Sequence, residues 1–279
     1  MSGSTRVVVR AGMILSVASL LLATSCTTGE PPSPMMRMVS SDFGTDEFDG
    51  AAGDSPDAAM WGFDVGGGGW GNQEKQIYTD NAENARLDGN GNLVLEARRG
   101  LGGFTSARIV TRDKFSFTEG TISARIKFPM AQGIHPAFWL LGENLATVGY
   151  PESGEIDVME LVHNATEYHN AIHGPWSDPS AHTEGKWKMS SDGYLGGDAS
   201  DTFHVYEVTR RSDSISIFID GVMVGEYLRS ESPDGSKWVF DKPFYVVMNI
   251  AVGGEWPGPT DATTPEVSTL TVDWIRFTP

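Results

Sequence analysis

Alternation with a period of two, not helical periodicity, organises this chain. In "GTISARIKFP" the apolar residues Ile122, Ala124, Ile126 and Phe128 share one side, and Thr121, Ser123, Arg125 and Lys127 share the other. That is the signature of a half-buried strand. "NLVLEARR" follows a "DGNG" turn, and "SISIFIDGVMVGEYL" predicts a hairpin pivoting on Asp220-Gly221, a dipeptide suited to a tight two-residue turn. "FHVYEVTRR", "KPFYVVMNIAVGG" and "LTVDWIRF" bring the count to about ten strands or more. No apolar pattern of helical period lasts beyond a turn or two. Many short strands punctuated by Gly, Pro and Asp-Gly predict an all-β fold, a β-sandwich or jelly roll.

One segment breaks the alternation. "GEIDVMELV", residues 154–162, sets three acids in an apolar run. Glu155 and Asp157 share a face, with Ile156 and Val158 on the opposite, core side. Strict alternation would then bring Met159 to the acidic face. Glu160 rejoins the other acids only if a β-bulge absorbs one residue between Asp157 and Glu160, and bulges occur beside active sites, where they re-aim a side chain. Three carboxylates on one face repel one another, which favours a proton on one of them. A retaining sugar-cleaving enzyme uses such a set: one ionised carboxylate as nucleophile and one protonated carboxyl as acid, roughly 5–5.5 Å apart. A solvated acidic strand is the plain alternative in a chain with 37 acidic residues.

Composition narrows the partners. The 279 residues are 39% hydrophobic, enough for a sizeable core. A net charge of −17 with no Lys/Arg cluster excludes a nucleic-acid binder, which needs basic patches for phosphates. A strongly anionic ligand would be repelled; a neutral polysaccharide would not. At the N-terminus, Arg6 and Arg10 flank the start of an apolar run, residues 11–22, that is too short to span a membrane comfortably. With the small residues Ala23 and Ser25 this predicts a signal peptide over 1–25. Cys26, the single cysteine, follows at once. Ordinary secretion and a lipoprotein lipidated on Cys26 are both readable, and an otherwise unpaired cysteine favours the lipoprotein. Either way the protein is expected outside the cytoplasm, extracellular or held in the cell envelope. Residues 26–41, polar and Pro-containing, predict the lipidation site and a tether, with one domain over 42–279 and no internal repeat.

The acidic stretch has company. "GEIDVMELV" resembles the E-x-D-x-x-E signature of glycoside hydrolase family 16 in its bulged form, and "GNQEKQIYT", "HPAFWLLG", "VVMNIAVGGEWPG" and "VDWIRF" resemble other family blocks in the right order. The similarity runs from about residue 42 to 277 and is to the laminarinase-like branch, the endo-β-1,3-glucanases. It implies a jelly-roll β-sandwich of two curved antiparallel sheets with a concave cleft for a β-glucan, acting as a monomer. By position it implies Glu155 as nucleophile, Glu160 as acid/base and Asp157 as supporting acid. Trp139 and Trp256 would be aromatic cleft walls, while Asn72, Arg108 and His173 would be cleft residues. Trp61, Trp187, Trp238 and Trp274 are left to packing. His135 departs from the family, which usually has Trp before "PAFW". No cofactor is implied for catalysis. A structural Ca²⁺ is, with Glu47 and Asp273 as candidate ligands, since hard oxygen donors suit that ion. His169 and His173 lie four apart, but with no H-E-x-x-H they do not read as a metal pair.

Two rivals remain at this level. One keeps the chemistry and changes the polymer to a mixed-linkage glucan or a galactan, or transfers the sugar instead of hydrolysing it. The other is a β-glucan-binding protein without catalysis, against which both glutamates stand.

Overall fold

The structure, a computed structural model, describes residues 44–279. The expected leader over 1–25, the lipidation site Cys26 and the tether over 26–41 lie outside the described residues. Seventeen strands dominate, and the helical elements among the described residues are one short α-turn, Leu145–Val148, and two 3-10 turns. They form two sheets. The first runs in the order Gly62–Phe63, Arg108–Val110, Phe244–Val252, Ile134–Gly142, Glu155–Glu160, Glu167–Gly174, Trp187–Tyr194, with Ser116–Phe117 added beside Phe244–Val252. The second has Gly120–Lys127 and Val267–Thr278 at its centre, flanked by His204–Arg211 and Leu93–Gly100. Among the described residues pairing is antiparallel with one exception, Gln76–Tyr78 against Gly103–Ser106, which is parallel. The sheets are therefore not purely antiparallel as expected.

The alternation maps directly onto burial. Along Gly120–Lys127 the sides buried and half-buried alternate without a break, and Ile122, Ala124 and Ile126 enter the core between the sheets. Asp220 and Gly221 both take positive φ, 49° and 77°, the conformation that lets a two-residue turn match the twist of the hairpin Ser214–Ile219 and Val222–Leu228. Phe244–Val252 is buried at every position because it sits inside its sheet with both faces covered. Phe244, Val246, Met248, Ile250 and Val252 face the main core. Tyr245 and Val247 face the other way and join Val110 and Leu141 in a small apolar layer, against which Trp139 packs. That layer underlies the functional groove.

The bulge is present where the spacing requires it. Glu155–Glu160 pairs with Ile134–Gly142 and with Glu167–Gly174, and the register shifts after Asp157 on both sides. Ile156, Val158 and Met159 all lie in the core. Burying a methionine side chain stabilises by roughly 1.5–3 kcal/mol, whereas an unbulged strand would expose Met159 and drive the Glu160 carboxylate into apolar surroundings at a large desolvation cost. The pair Met159-Glu160 therefore sets the register, and Glu160 emerges on the same side as Glu155 and Asp157.

Candidate active site

A cavity of about 450 Å³ opens over this strand. All eight residues named from sequence as catalytic or sugar-binding line it: Asn72, Arg108, Trp139, Glu155, Asp157, Glu160, His173 and Trp256. The strand Glu167–Gly174 supplies a histidine beside each end of the acidic row, with His173 opposite Glu155 and His169 opposite Glu160. His173 Nε2 lies 3.1 Å from Asp157 Oδ2 and 3.7 Å from Glu155 Oε1. Tyr150 donates to Glu155 Oε1 at 3.4 Å, and Lys186 Nζ stands 3.9 Å from the same oxygen and 2.5 Å from the tyrosine hydroxyl. At the other end His135 Nε2 is 2.9 Å from Glu160 Oε1.

The three acids titrate differently because their surroundings differ. Burial, then the charge of Asp157, pushes Glu155 up to about 7, against the pull of His173 and Lys186. Burial and the charge of Glu160 push Asp157 well above the carboxylate range. Burial also pushes Glu160 up, but the hydrogen bond and charge of His135 outweigh it and leave that carboxyl below its ordinary value. Burial lowers His173 to about 4, so its imidazole is neutral at neutral pH. The order differs from the one the sequence roles imply, in which Glu155 is ionised and Glu160 protonated. The reason is His135, which stands where the family usually has Trp and gives Glu160 a titrating partner.

The walls are built from distant segments. Trp139 donates its indole N–H to Asn249 Oδ1 at 2.7 Å, and Asn249 donates to the Tyr78 hydroxyl at 3.0 Å. These contacts hold in place a Trp that lines the groove. The Arg108 guanidinium lies 4.6 Å from the Trp139 ring and 5.0 Å from Trp70, and is held by Asp64 at 3.0 Å. It braces two aromatic plates as well as lining the groove. Trp256 is 38% exposed and is met edge-on by His135 and His169, each with centroids 5.1 Å away. Asn72 is fixed by the backbone N–H of Glu255, which reaches its Oδ1 at 3.2 Å. Gly254, at φ 119°, lets the two loops meet, since a Cβ there would lie 2.6 Å from the Asn72 carbonyl oxygen.

Sequence reasoning missed Trp70, Glu74, Lys186, Lys188 and Asn249, which also line the cavity. Asn249 carried a readable signal as the lone polar residue in "FYVVMNIAV". Lys186 and Lys188 flank Trp187, whose side chain is buried, so the lysines alternate outward. Of the tryptophans left to packing, Trp61 and Trp187 are fully buried, Trp238 donates to Ser212 O, and Trp274 lies under the Arg276 guanidinium.

The candidate calcium ligands do not fit that ion as they stand. Glu47 is gripped through both oxygens by Arg276 at 2.7 and 2.9 Å, and Asp273 by Arg125 at 2.5 Å. Neither belongs to a group of three or more clustered ligand-type side chains among the described residues. Within the groove, Glu155, Asp157 and His173 bring their polar atoms within 4.8 Å of one another. Three donors fall short of the roughly 6–8 oxygens calcium takes, and these groups are already bonded among themselves.

A groove offering flat indole faces beside two glutamates on one bulged strand suits a ligand with apolar C–H faces and a cleavable acetal, and so defines a glycoside hydrolase. The chain belongs to the glycosyl hydrolases family 16, whose model matches residues 72–276. It is 38% identical to a beta-glucanase of Rhodothermus marinus over 83% of this chain and 82% of that protein. The catalytic domain of an endo-1,3-beta-glucanase (laminarinase) from Thermotoga petrophila superposes with a TM-score of 0.74 at 36% identity, covering 84% of this chain and 95% of that one. The endo-beta-1,3-glucanase of Pyrococcus furiosus gives 0.73 at 36%, with 84% and 93% covered. These relationships bear out the all-β jelly-roll expectation.

Proposed function

We infer that the protein is a retaining endo-β-1,3-glucanase acting by double displacement. The observation that carries this reading is the bulge after Asp157, which puts Glu155 and Glu160 on one face of one strand with Asp157 between them. The names of the relatives support β-1,3-glucan as the polymer, and the aromatic walls suit a neutral sugar chain.

In the first step Glu155 attacks the anomeric carbon while Glu160 protonates the departing glycosidic oxygen, leaving a glycosyl-enzyme. Glu160 then takes a proton from water, whose oxygen displaces Glu155 with retention of configuration. Glu155 must be ionised to attack, and its neighbours make that possible. Asp157, the more strongly raised acid, takes up a proton first and shares it with the neutral His173. Once Asp157 is uncharged, the second-largest cause holding Glu155 up is gone. The two groups thus titrate as a set.

Release of reducing sugar from laminarin by the wild type, and background release by Glu155→Ala and Glu160→Gln, is the expected outcome. Equal background release from all three would favour a binding protein. Faster turnover of lichenan or agarose than of laminarin would move the assignment to another polymer. The reading extends to an exported monomer tethered through a lipidated Cys26, checked by mass spectrometry of the mature N-terminus.

A further inference from the structure

We propose that His135 is a positioning residue that stores the acid/base proton of Glu160, so that the His135–Glu160 pair, and not the glutamate alone, sets how far into alkaline pH the enzyme works. The inference rests on Glu160 being the acid/base. It stands first on geometry. Nε2 of His135 is 2.9 Å from Glu160 Oε1, both side chains are largely buried, and the imidazole is pinned from its edge by the Trp256 ring. Nδ1 meets no hydrogen-bond partner among the described residues, so Glu160 is the one polar group that decides where the ring proton sits. Among the described residues, Glu160 forms an ion pair with no lysine or arginine.

The carboxylates around the imidazole all act in one direction, although the cations Arg108, Lys186 and Lys188 line the same cavity. Glu160 and Asp157 on the neighbouring strand favour the protonated ring, as does Glu74 from the loop before Gln76–Tyr78. On the adjoining strand His169 stands opposite Glu160, and His173, held neutral by burial, stands opposite Glu155. The neighbouring strand on the other side, Phe244–Val252, places Ala251 opposite His135 and offers no titratable group there. Burial opposes the charged imidazole, but these carboxylates outweigh it and raise the ring above its ordinary value while Glu160 falls below its own.

The proton balance is closed. With one proton in the pair, it lies on Nε2 or on Oε1, exchanged along a single hydrogen bond. As the glycosidic C–O bond breaks, that proton moves to the leaving oxygen, the electron pair of the bond goes to the same oxygen, and the pair is left without its proton. When water attacks, its proton refills the pair through Glu160. His135 ends the cycle as it began. An isolated buried glutamate would lose its proton at its own carboxyl pKa; the pair holds one until pH rises through the raised imidazole value.

The test is the pH dependence of kcat/KM on laminarin for wild type, His135→Gln and Glu160→Gln. Gln keeps a hydrogen-bond donor near Nε2 and removes the titration. The expected result for His135→Gln is an alkaline limb lowered by about one pH unit or more, with activity retained on the acid side. A higher KM with an unmoved limb would overturn the proposal and leave His135 a simple wall residue. Substantial activity in Glu160→Gln would instead remove the acid/base reading itself, and the proposal with it. A second measurement does not depend on the His135 variant folding. The imidazole titration of His135, followed by NMR in the wild type, is expected above the ordinary histidine range and lower in Glu160→Gln. A midpoint unchanged by that substitution would contradict the proposal.

Discussion

Each sheet contains a strand in which a bulge re-aims an acid, and the two acids have different fates. In Glu155–Glu160 the register slips after Asp157 and delivers Glu160 to a buried groove beside His135. In Val267–Thr278 it slips between Val272 and Trp274, at Asp273, whose carboxylate meets Arg125. The chemistry of the side chain is the same; the partner differs. A guanidinium keeps its charge at any working pH, so Asp273 and the nearby Glu47–Arg276 pair are neutralised for good. They are also one third to one half exposed, where such pairs are worth about 0–1 kcal/mol. An imidazole gives and takes a proton near neutrality. A bulged acid beside a histidine is therefore equipped to move protons, and one beside an arginine is fixed.

Removing Glu155 should separate the two regions most sharply. For Glu155→Ala, turnover of laminarin is expected to fall by at least about 10⁴-fold, the scale of losing a covalent nucleophile, with the thermal midpoint held or raised because a buried repulsive charge is gone. Next in size, Glu160→Gln should lower kcat by roughly 10²–10⁴-fold. The loss should shrink on an aryl glycoside whose leaving group needs no proton.

A third contrast lies in stability against pH. Glu155 has its folded value raised from the ordinary 4.5 to about 7, so its contribution is complete below about 4.5 and lost as pH rises to about 7, on the order of 3 kcal/mol. Glu160, held low, acts in the opposite sense and is lost only as pH falls below its ordinary value. Thermal midpoints measured from pH 4 to 8 should therefore decline across the upper part of that range, and Glu155→Gln should flatten the decline. A wild-type midpoint that rises with pH throughout would refute this ordering. Smallest of all, Glu47→Gln should leave activity unchanged and shift stability by less than about 1 kcal/mol. A chelator should not move the midpoint if the two acids are served by arginine as the structure has them.

What the sequence made legible was local. The alternation of residues 120–127, the Asp220-Gly221 turn and the irregular spacing of Glu155, Asp157 and Glu160 each follow from neighbours within a few positions, and the structure reproduces them. The partners were not legible. Trp139 is oriented by Asn249, 110 residues away, and Glu160 by His135, which lies on the adjacent strand. Repulsion among three acids says that one is protonated, but partners from other strands decide how each titrates, and His135 holds the Glu160 carboxyl below its ordinary value. The calcium candidates Glu47 and Asp273 likewise have partners that spacing does not show, Arg276 and Arg125.

The most direct measurement is to trap the covalent intermediate. A 2-deoxy-2-fluoro laminari-oligosaccharide with a good leaving group slows both steps, and should accumulate as an ester that peptide mass spectrometry places on Glu155, with product of retained configuration released on slow turnover. A label on any other residue, or product of inverted configuration, would contradict the claim that the bulged strand presents Glu155 and Glu160 to a single glycosidic bond.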